Sequence, residues 1–323
     1  MQAREYKEML NLKLTSVAVA ALATLTMGGP AAAADFPTKP INMLVGFGAG
    51  GGTDALIRAL AEPMSESLGQ TVIVQNKPGA GGGLAAMTIK AAEPDGYTLI
   101  GTGSLTYTFE PQVLKSQYAY GDFAHIAIVA LFQDGLFTHP SRPYKNMRDV
   151  VDAAKAEKRD IKYASQYQLD KLIFEYVGKQ EGVKFIPVPT QGGNGSVTAT
   201  LGNQVDFGFS GGTFGPHAET GALRVIGSMM TERMERFPDV ASMADNGWNI
   251  GGENYIIISA PKNTPKAVVD KLGKAMEDGM KSASAQNVMK SRYMKNIFIG
   301  PDGVDAAVEK QFKKYTDLIA RTK

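Results

Sequence analysis

The pentapeptide Gly-Ala-Gly-Gly-Gly occurs twice, at Gly48 to Gly52 and at Gly79 to Gly83. Each copy follows a short apolar run that reads as a buried strand. Each precedes a stretch with helix-type apolar spacing, Asp54 to Leu68 and Leu84 to Ala92. A bare turn at such a junction lets a ligand approach the backbone. It also exposes the first N–H groups of the helix, which have no internal partner, at the positive end of the helix dipole. Two such turns at the C-terminal edge of one sheet make a paired anion site, and a carboxylate suits it as well as a phosphate does. Gly46, Gly48 and Gly51 formally spell G-x-G-x-x-G, but a dinucleotide site wants an acid at the end of the next strand, where Val74 is followed by Gln75-Asn76. A phosphate loop needs G-K-[ST], and Gly52 is followed by Thr53-Asp54. Tight turns without a ligand are the competing reading. Two identical clusters at two strand–helix junctions favour a ligand site. Thr53 and Asp54 read as helix cap and dipole complement rather than as catalytic groups.

The rest of the chain alternates in the same way. Ile41 to Phe47, Thr71 to Val74, Tyr97 to Ile100 and Ile126 to Phe132 read as strands, which with the intervening helices predicts a parallel sheet covered on both faces. Pro63 inside the first helix predicts a kink or local break. A second α/β set follows: helix Arg148 to Glu157, strand Ile161 to Ser165, helix Leu169 to Glu181, strand Val183 to Val188, a helix near Ser196 to Gly202, and strands Val205 to Ser210 and Leu223 to Ser228. Tyr255 to Ala260 is a further strand, and helices Pro265 to Lys281 and Val304 to Ile319 close the chain. No low-complexity linker separates the halves, so the expected α/β fold has two lobes joined by strands. Ile126 to Thr138 is long enough to cross and Tyr255 to Ala260 to return. Residues 35–135 plus 254–323 form the first lobe and 136–253 the second.

Composition removes several function classes. There is no cysteine among 323 residues, which excludes disulfides, Cys-ligated metals and thiol nucleophiles. Lys plus Arg is 34 against 32 for Asp plus Glu, so the chain has no bulk charge with which to hold nucleic acid. His125, His139 and His217 lie far apart and lack metal-ligand spacing, so no metal and no cofactor is expected. Lys13, the uncharged stretch Leu14 to Ala34 and the Ala32-Ala33-Ala34 site predict an export signal over residues 1–34, with Gly28-Gly29-Pro30 arguing against a membrane anchor. Met1 and Met9 are both candidate starts.

Several blocks carry a resemblance. VGFGAGGGTDALIRAL, LGQTVIVQNKPGAGGGLAA and PDGYTLIG come in an order and spacing similar to those of the periplasmic receptors of tripartite tricarboxylate transporters, also called Bug receptors. VPTQGG at Val188 to Gly193, ERFPDV at Glu235 to Val240 and APKNTP at Ala260 to Pro265 extend the likeness over nearly the whole chain. The resemblance implies a two-lobed periplasmic binding protein (clamshell) fold with two crossover strands. It also implies a small organic carboxylate gripped by the glycine turns through backbone amides, delivery to a membrane permease, and a monomer without cofactor. Carried onto this sequence, the grip falls on Phe47, Ala49, Gly50, Gly51 and Thr53 in the first turn and on Gly79, Ala80 and Gly81 in the second. Three departures stand in the rest of the cleft. The glycine-rich loop and His-Leu helix start of the family are replaced by Ala164-Ser165-Gln166-Tyr167-Gln168-Leu169. Val-Pro-Tyr-Lys-Gly is replaced by Val188 to Gly192, and Asn-Pro by Glu110-Pro111. Glu110, facing the cleft, would disfavour a second negative charge there.

Strand ends supply the remaining candidates: Ser104, Thr106 and Tyr107; Ser165, Gln166 and Tyr167; Gln191, Gly193 and Asn194; Gly211, Gly212 and Thr213. Of these, Ser104, Ser165, Gln166, Tyr167, Gln191 and Gly212 are the ligand contacts expected beside the turns. The sequence holds no G-x-S-x-G, no His–acid pair and no thiol, which leaves an exported hydrolase a poor third to a transport receptor and to a receptor that feeds a signalling pathway. Trp248 is expected to pack near the returning strand.

Overall fold

A computed structural model describes residues 36–322. The predicted export signal lies outside them. Residues 36–38 form neither helix nor strand, and the compact unit 39–323 holds every element named here.

The chain begins with β1 (Ile41–Val45), α1 (Gly52–Leu68), β2 (Val72–Asn76), α2 (Gly83–Lys90) and β3 (Thr98–Gly103). On β1, Ile41, Met43, Leu44 and Val45 are all buried, the near-continuous burial of a strand covered on both faces. α1 turns Leu56, Ile57, Leu60, Met64 and Leu68 inward, spaced to keep one face apolar. Each such side chain contributes about 1.5–3 kcal/mol when removed from water. Two short helices, α3 (Leu105–Thr108) and α4 (Glu110–Val113), precede the long strand β4 (Phe123–Phe132). After Gln133 and Asp134 the chain enters β5 (Gly135–Thr138), α5 (Met147–Glu157), β6 (Ile161–Ser165), α6 (Gln168–Glu181), β7 (Phe185–Pro189), α7 (Gly192–Leu201), β8 (Gly208–Ser210), α8 (Gly215–Glu219) and β9 (Arg224–Ser228). It returns through β10 (Asn254–Pro261) and ends with α9 (Lys266–Met280), α10 (Ala283–Ser291), β11 (Lys295–Ile299) and α11 (Val304–Thr322).

One sheet has the order β11-β4-β10-β3-β1-β2. β1 pairs in parallel with β2 and β3, as the sequence predicts, but β10 runs antiparallel to both β3 and β4, and β11 antiparallel to β4. The all-parallel expectation therefore fails for half the sheet. β4 and β10 are the leaving and returning strands, and strands that run in opposite directions between the same two bodies must meet antiparallel. The second sheet orders β8-β5-β9, antiparallel throughout. The parallel pair β6-β7 joins it where Ala164 N–H donates to the Phe207 carbonyl at 3.1 Å and Asp206 N–H to the Lys162 carbonyl at 2.8 Å. Its core is aromatic, with Tyr163, Phe174 and Phe207 within ring contact of one another. Trp248 is buried there, its indole N–H donating to Glu181 at 2.8 Å beneath the Arg148 guanidinium.

Pro63 does not break α1. It lacks the N–H that would bond the Ala59 carbonyl, and the Ser284 hydroxyl donates to that carbonyl instead, at 2.9 Å. The crossing read as one run, Ile126 to Thr138, is two strands separated by Gln133 and Asp134.

Candidate functional site

Both glycine turns leave the C-terminal edge of the first sheet, after the neighbouring strands β1 and β2. They come together over Thr102, whose hydroxyl would stand 2.7 Å from a Cβ on Gly46 and 2.6 Å from one on Gly82. Gly46 and Gly82 also face each other, a Cβ on Gly46 falling 3.1 Å from the Gly82 Cα. No side chain fits at either position, so the glycines let two backbones pack directly. Thr106 fixes the second turn, donating to the Gly81 carbonyl at 2.7 Å and sharing a hydrogen bond with Thr102.

The first turn is fixed by Asp54. One of its oxygens accepts the Gly50 N–H at 2.8 Å, and the other accepts Arg58 at 2.9 Å and the Asn76 amide at 2.7 Å. Burial pushes this carboxyl up, but the bonds from Gly50, Arg58 and Asn76 outweigh it and hold it below the ordinary carboxylate range. The cap reading of Asp54 is corrected accordingly: Gly51 is the N-cap, without a side-chain cap, and Asp54 binds the turn to the next strand. The N–H of Gly50 is thereby committed. Those of Gly48, Ala49, Gly79, Ala80 and Gly81 find no acceptor among the described residues.

These turns border a cavity of about 310 Å³. Phe47, Gly48 and residues 78–82 line it from the first sheet's side, and Ser165, Gln166, Tyr167, Gln191 and Gly192 from the second's, with Glu110 and Lys171. A smaller cavity of about 30 Å³ lies beside it, bounded by Gly51, Thr53, Asp134, Gly193, Gly211 and Thr213 and sharing Phe47, Gln166, Tyr167 and Gln191. The sides touch where the Phe47 and Tyr167 rings meet edge to face at 5.9 Å, and where the Asn194 amide donates to the Ala49 carbonyl at 3.0 Å. The Asn254 amide donates to the Tyr167 hydroxyl at 3.1 Å. The Gln166 amide is spent on the Phe209 carbonyl at 2.5 Å.

Of the residues named from sequence, Phe47, Gly51, Thr53, Gly79, Ala80, Gly81, Ser165, Gln166, Tyr167 and Gln191 line one cavity or both. Ala49 and Gly50 sit exposed at the turn's tip against Asn194. Ser104 is buried behind the site, its hydroxyl accepting the Tyr255 N–H at 3.0 Å. Tyr107 is buried as well, without a hydrogen-bond partner for its hydroxyl. Gly212 lines neither cavity. It packs on the Arg292 carbonyl, which would stand 1.4 Å from a Cβ there. His125 is a core residue, its ring nitrogens bonded to Ser259 and the Tyr120 carbonyl, and burial pushes it down to about 4.

Sequence reading named Glu110, which does line the cavity, and missed two further acids, Asp134 and Asp170. Asp134 is buried on the wall of the smaller cavity and pushed up to about 7 by burial and by Asp170. Asp170 is buried, accepts the Tyr167 N–H at 2.6 Å, and is pushed up to about 6, chiefly by burial. Glu110 is pushed up to about 7 by burial, against the hydrogen bond it accepts from the Gln168 N–H at 2.8 Å. Asp170 three residues after Tyr167 is a legible capping signal. Asp134 carried none, since a lone acid at the end of an apolar run looks like a surface turn.

The family model described as tripartite tricarboxylate transporter family receptor matches residues 56–322. The UPF0065 protein in the gbd 5'region of Cupriavidus necator is 34% identical over 268 residues, 82% of this chain and 82% of that one. Among solved structures, the periplasmic binding protein BugD superposes with a TM-score of 0.81 at 27% identity, covering 89% of this chain and 98% of its own. MatC from Rhodopseudomonas palustris, solved with bound malate, shares the fold with a TM-score of 0.78 at 22% identity over 88% of this chain and all of its own. The paired glycine turns and the two sheets joined by β4 and β10 are thus those of a two-lobed solute-binding protein, and the chain belongs to the tripartite tricarboxylate transporter receptor family.

Proposed function

We propose that this receptor captures one small organic carboxylate between its lobes and hands it to a membrane permease, without breaking a bond. The observation that carries the reading is the pair of touching glycine turns, of which Gly48, Gly79, Ala80 and Gly81 line the larger cavity and have N–H groups without an acceptor among the described residues. Unpartnered amides at strand–helix junctions attract an anion. The malate in MatC is a carboxylate of suitable size. Lobe boundaries at 135/136 and 253/254 place the turns on one lobe and Ser165 to Tyr167 with Gln191 on the other, so the ligand gains its full set of contacts only when the lobes close. The chain works as a monomer in the periplasm after cleavage behind Ala34.

Native mass spectrometry of the purified protein, followed by thermal-shift measurements over a panel of carboxylic acids, tests the reading. One acid per chain raises the midpoint. Gly81→Leu places a branched side chain against Glu110 at the turn's free amides. It abolishes the shift, while the left-handed φ of +61° at this position lowers the ligand-free midpoint and circular dichroism still reports a folded protein. A Gly81→Leu protein that binds as wild type does would refute the assignment of the turns.

A further inference from the structure

One acid and one base, Glu110 and Lys171, line the larger cavity of this carboxylate receptor, and a second acid, Asp134, lines the smaller one. Glu110 is 2% exposed and lines the cavity against the second glycine turn, its Cδ 3.2 Å from where a Gly81 Cβ would stand. One of its oxygens accepts the Gln168 N–H. No hydrogen bond reaches the other oxygen, Oε2, and Glu110 forms no ion pair among the described residues. Asp134, 5% exposed on the adjoining cavity, makes no side-chain hydrogen bond among the described residues. Asp170 lies behind both cavities, accepting the Tyr167 N–H, with Ser165 and the Gln166 N–H also favouring its charged form. The three acids surround Tyr167, whose phenol they help push upward, after burial. Against them stands one basic side chain on the cavity walls, Lys171, whose ammonium lies 3.4 Å from the Gln168 side-chain oxygen and whose charge favours the ionised forms of Glu110 and Asp170 without pairing directly with either. The first two amides at the start of α6 are taken by acids of the protein itself, Tyr167 N–H by Asp170 and Gln168 N–H by Glu110.

We propose that the ligand carries a protonated nitrogen as well as a carboxylate, and that Glu110 is the residue that selects it. The proposal rests on the carboxylate reading of the glycine turns. A carboxylate held at Gly79 to Gly81 lies close to Glu110, and two like charges in a half-dry cleft oppose each other. An ammonium on the same ligand removes that opposition and supplies the donor that Oε2 lacks. A hydroxyl would satisfy the lone pair but leave the buried charge uncompensated.

Isothermal titration at pH 7.5 with matched acids tests the selection: β-alanine with propionate, 4-aminobutyrate with butyrate, and L-glutamate with glutarate. The amino member of the best-bound pair binds at least tenfold tighter than its partner. Glu110→Gln, which keeps the acceptor for Gln168, cuts that preference tenfold or more and leaves the amino-free acid unweakened. If the amino-free acids bind as tightly as their partners, or if Glu110→Gln leaves the preference intact, Glu110 does not select a cation. Where Gly81→Leu still abolishes that binding, the carboxylate reading survives alone. If no acid binds in either series, both fall together. A Glu110→Gln protein that fails to fold leaves the wild-type pair comparison to decide.

Discussion

Glu110 shows how one residue couples site and stability. With its carboxyl at about 7 rather than the ordinary 4.5, the folded protein keeps a proton that the unfolded chain has already released. Stability therefore falls as pH rises from about 4.5 to 7 and levels off above. Asp134 at about 7 and Asp170 at about 6 steepen the same slope. Denaturant unfolding without ligand is expected to find Glu110→Gln more stable than wild type at pH 8, on the order of 2 kcal/mol, with the gap closing toward pH 5.5. A gap independent of pH would place the charge elsewhere. The glycine turns could be read from sequence because a missing side chain is itself the signal. Glu110 could be placed at the cleft but not its partner, and Asp134 and Asp170 could not be read at all, because their effect comes from burial, and burial depends on residues distant in the chain. Glu110 and Gln168 meet only after the chain has folded back across 58 positions.

Among the elements, those with a strong period were legible and those without one were not. β6 was placed residue for residue at Ile161 to Ser165, and α1, α5 and α6 came within two residues at either end. α10 was missed because it buries only Ala285 and Met289, and β11 because it is a half-exposed edge strand beginning at Lys295. That unpatterned stretch nevertheless carries a junction. Arg292 presents its carbonyl to Gly212, and the Tyr293 hydroxyl donates to Glu219 at 2.7 Å. Gly212 adopts φ +101° with no room for a Cβ, whereas Gly221, at φ +75°, faces open space. Gly212→Ala is expected to cost about 3 kcal/mol in denaturant unfolding, and Gly221→Ala about 1. Equal losses would show that backbone conformation, not the Arg292 contact, governs both.

Over the whole molecule, a few contacts join the halves across the cavity: Glu110 to Gln168, Phe47 to Tyr167, and Asn194 to the Ala49 carbonyl. The last is polar, partly solvated and remote from both cores, so it biases closure rather than folding. Asn194→Ala is expected to weaken ligand binding three- to tenfold with an unchanged ligand-free melting midpoint. Small-angle scattering would register a larger radius of gyration at sub-saturating ligand, and an unchanged affinity would remove Asn194 from the closing set. Two sheets with strands between them were legible, since the second strand–helix series follows the first without a linker. The antiparallel pairing of the two connecting strands was not, because local patterning carries no information about which strands become neighbours.

That pairing has a mechanical result. β4 and β10 are hydrogen-bonded along their length up to Phe132 and Asn254, where the chain leaves one sheet and returns to it. Two ribbons laced together bend easily about the line through their shared exit and resist sliding past each other. The proposed closure is thereby expected to follow a single axis, so that different cargoes give the same closed outline in small-angle scattering.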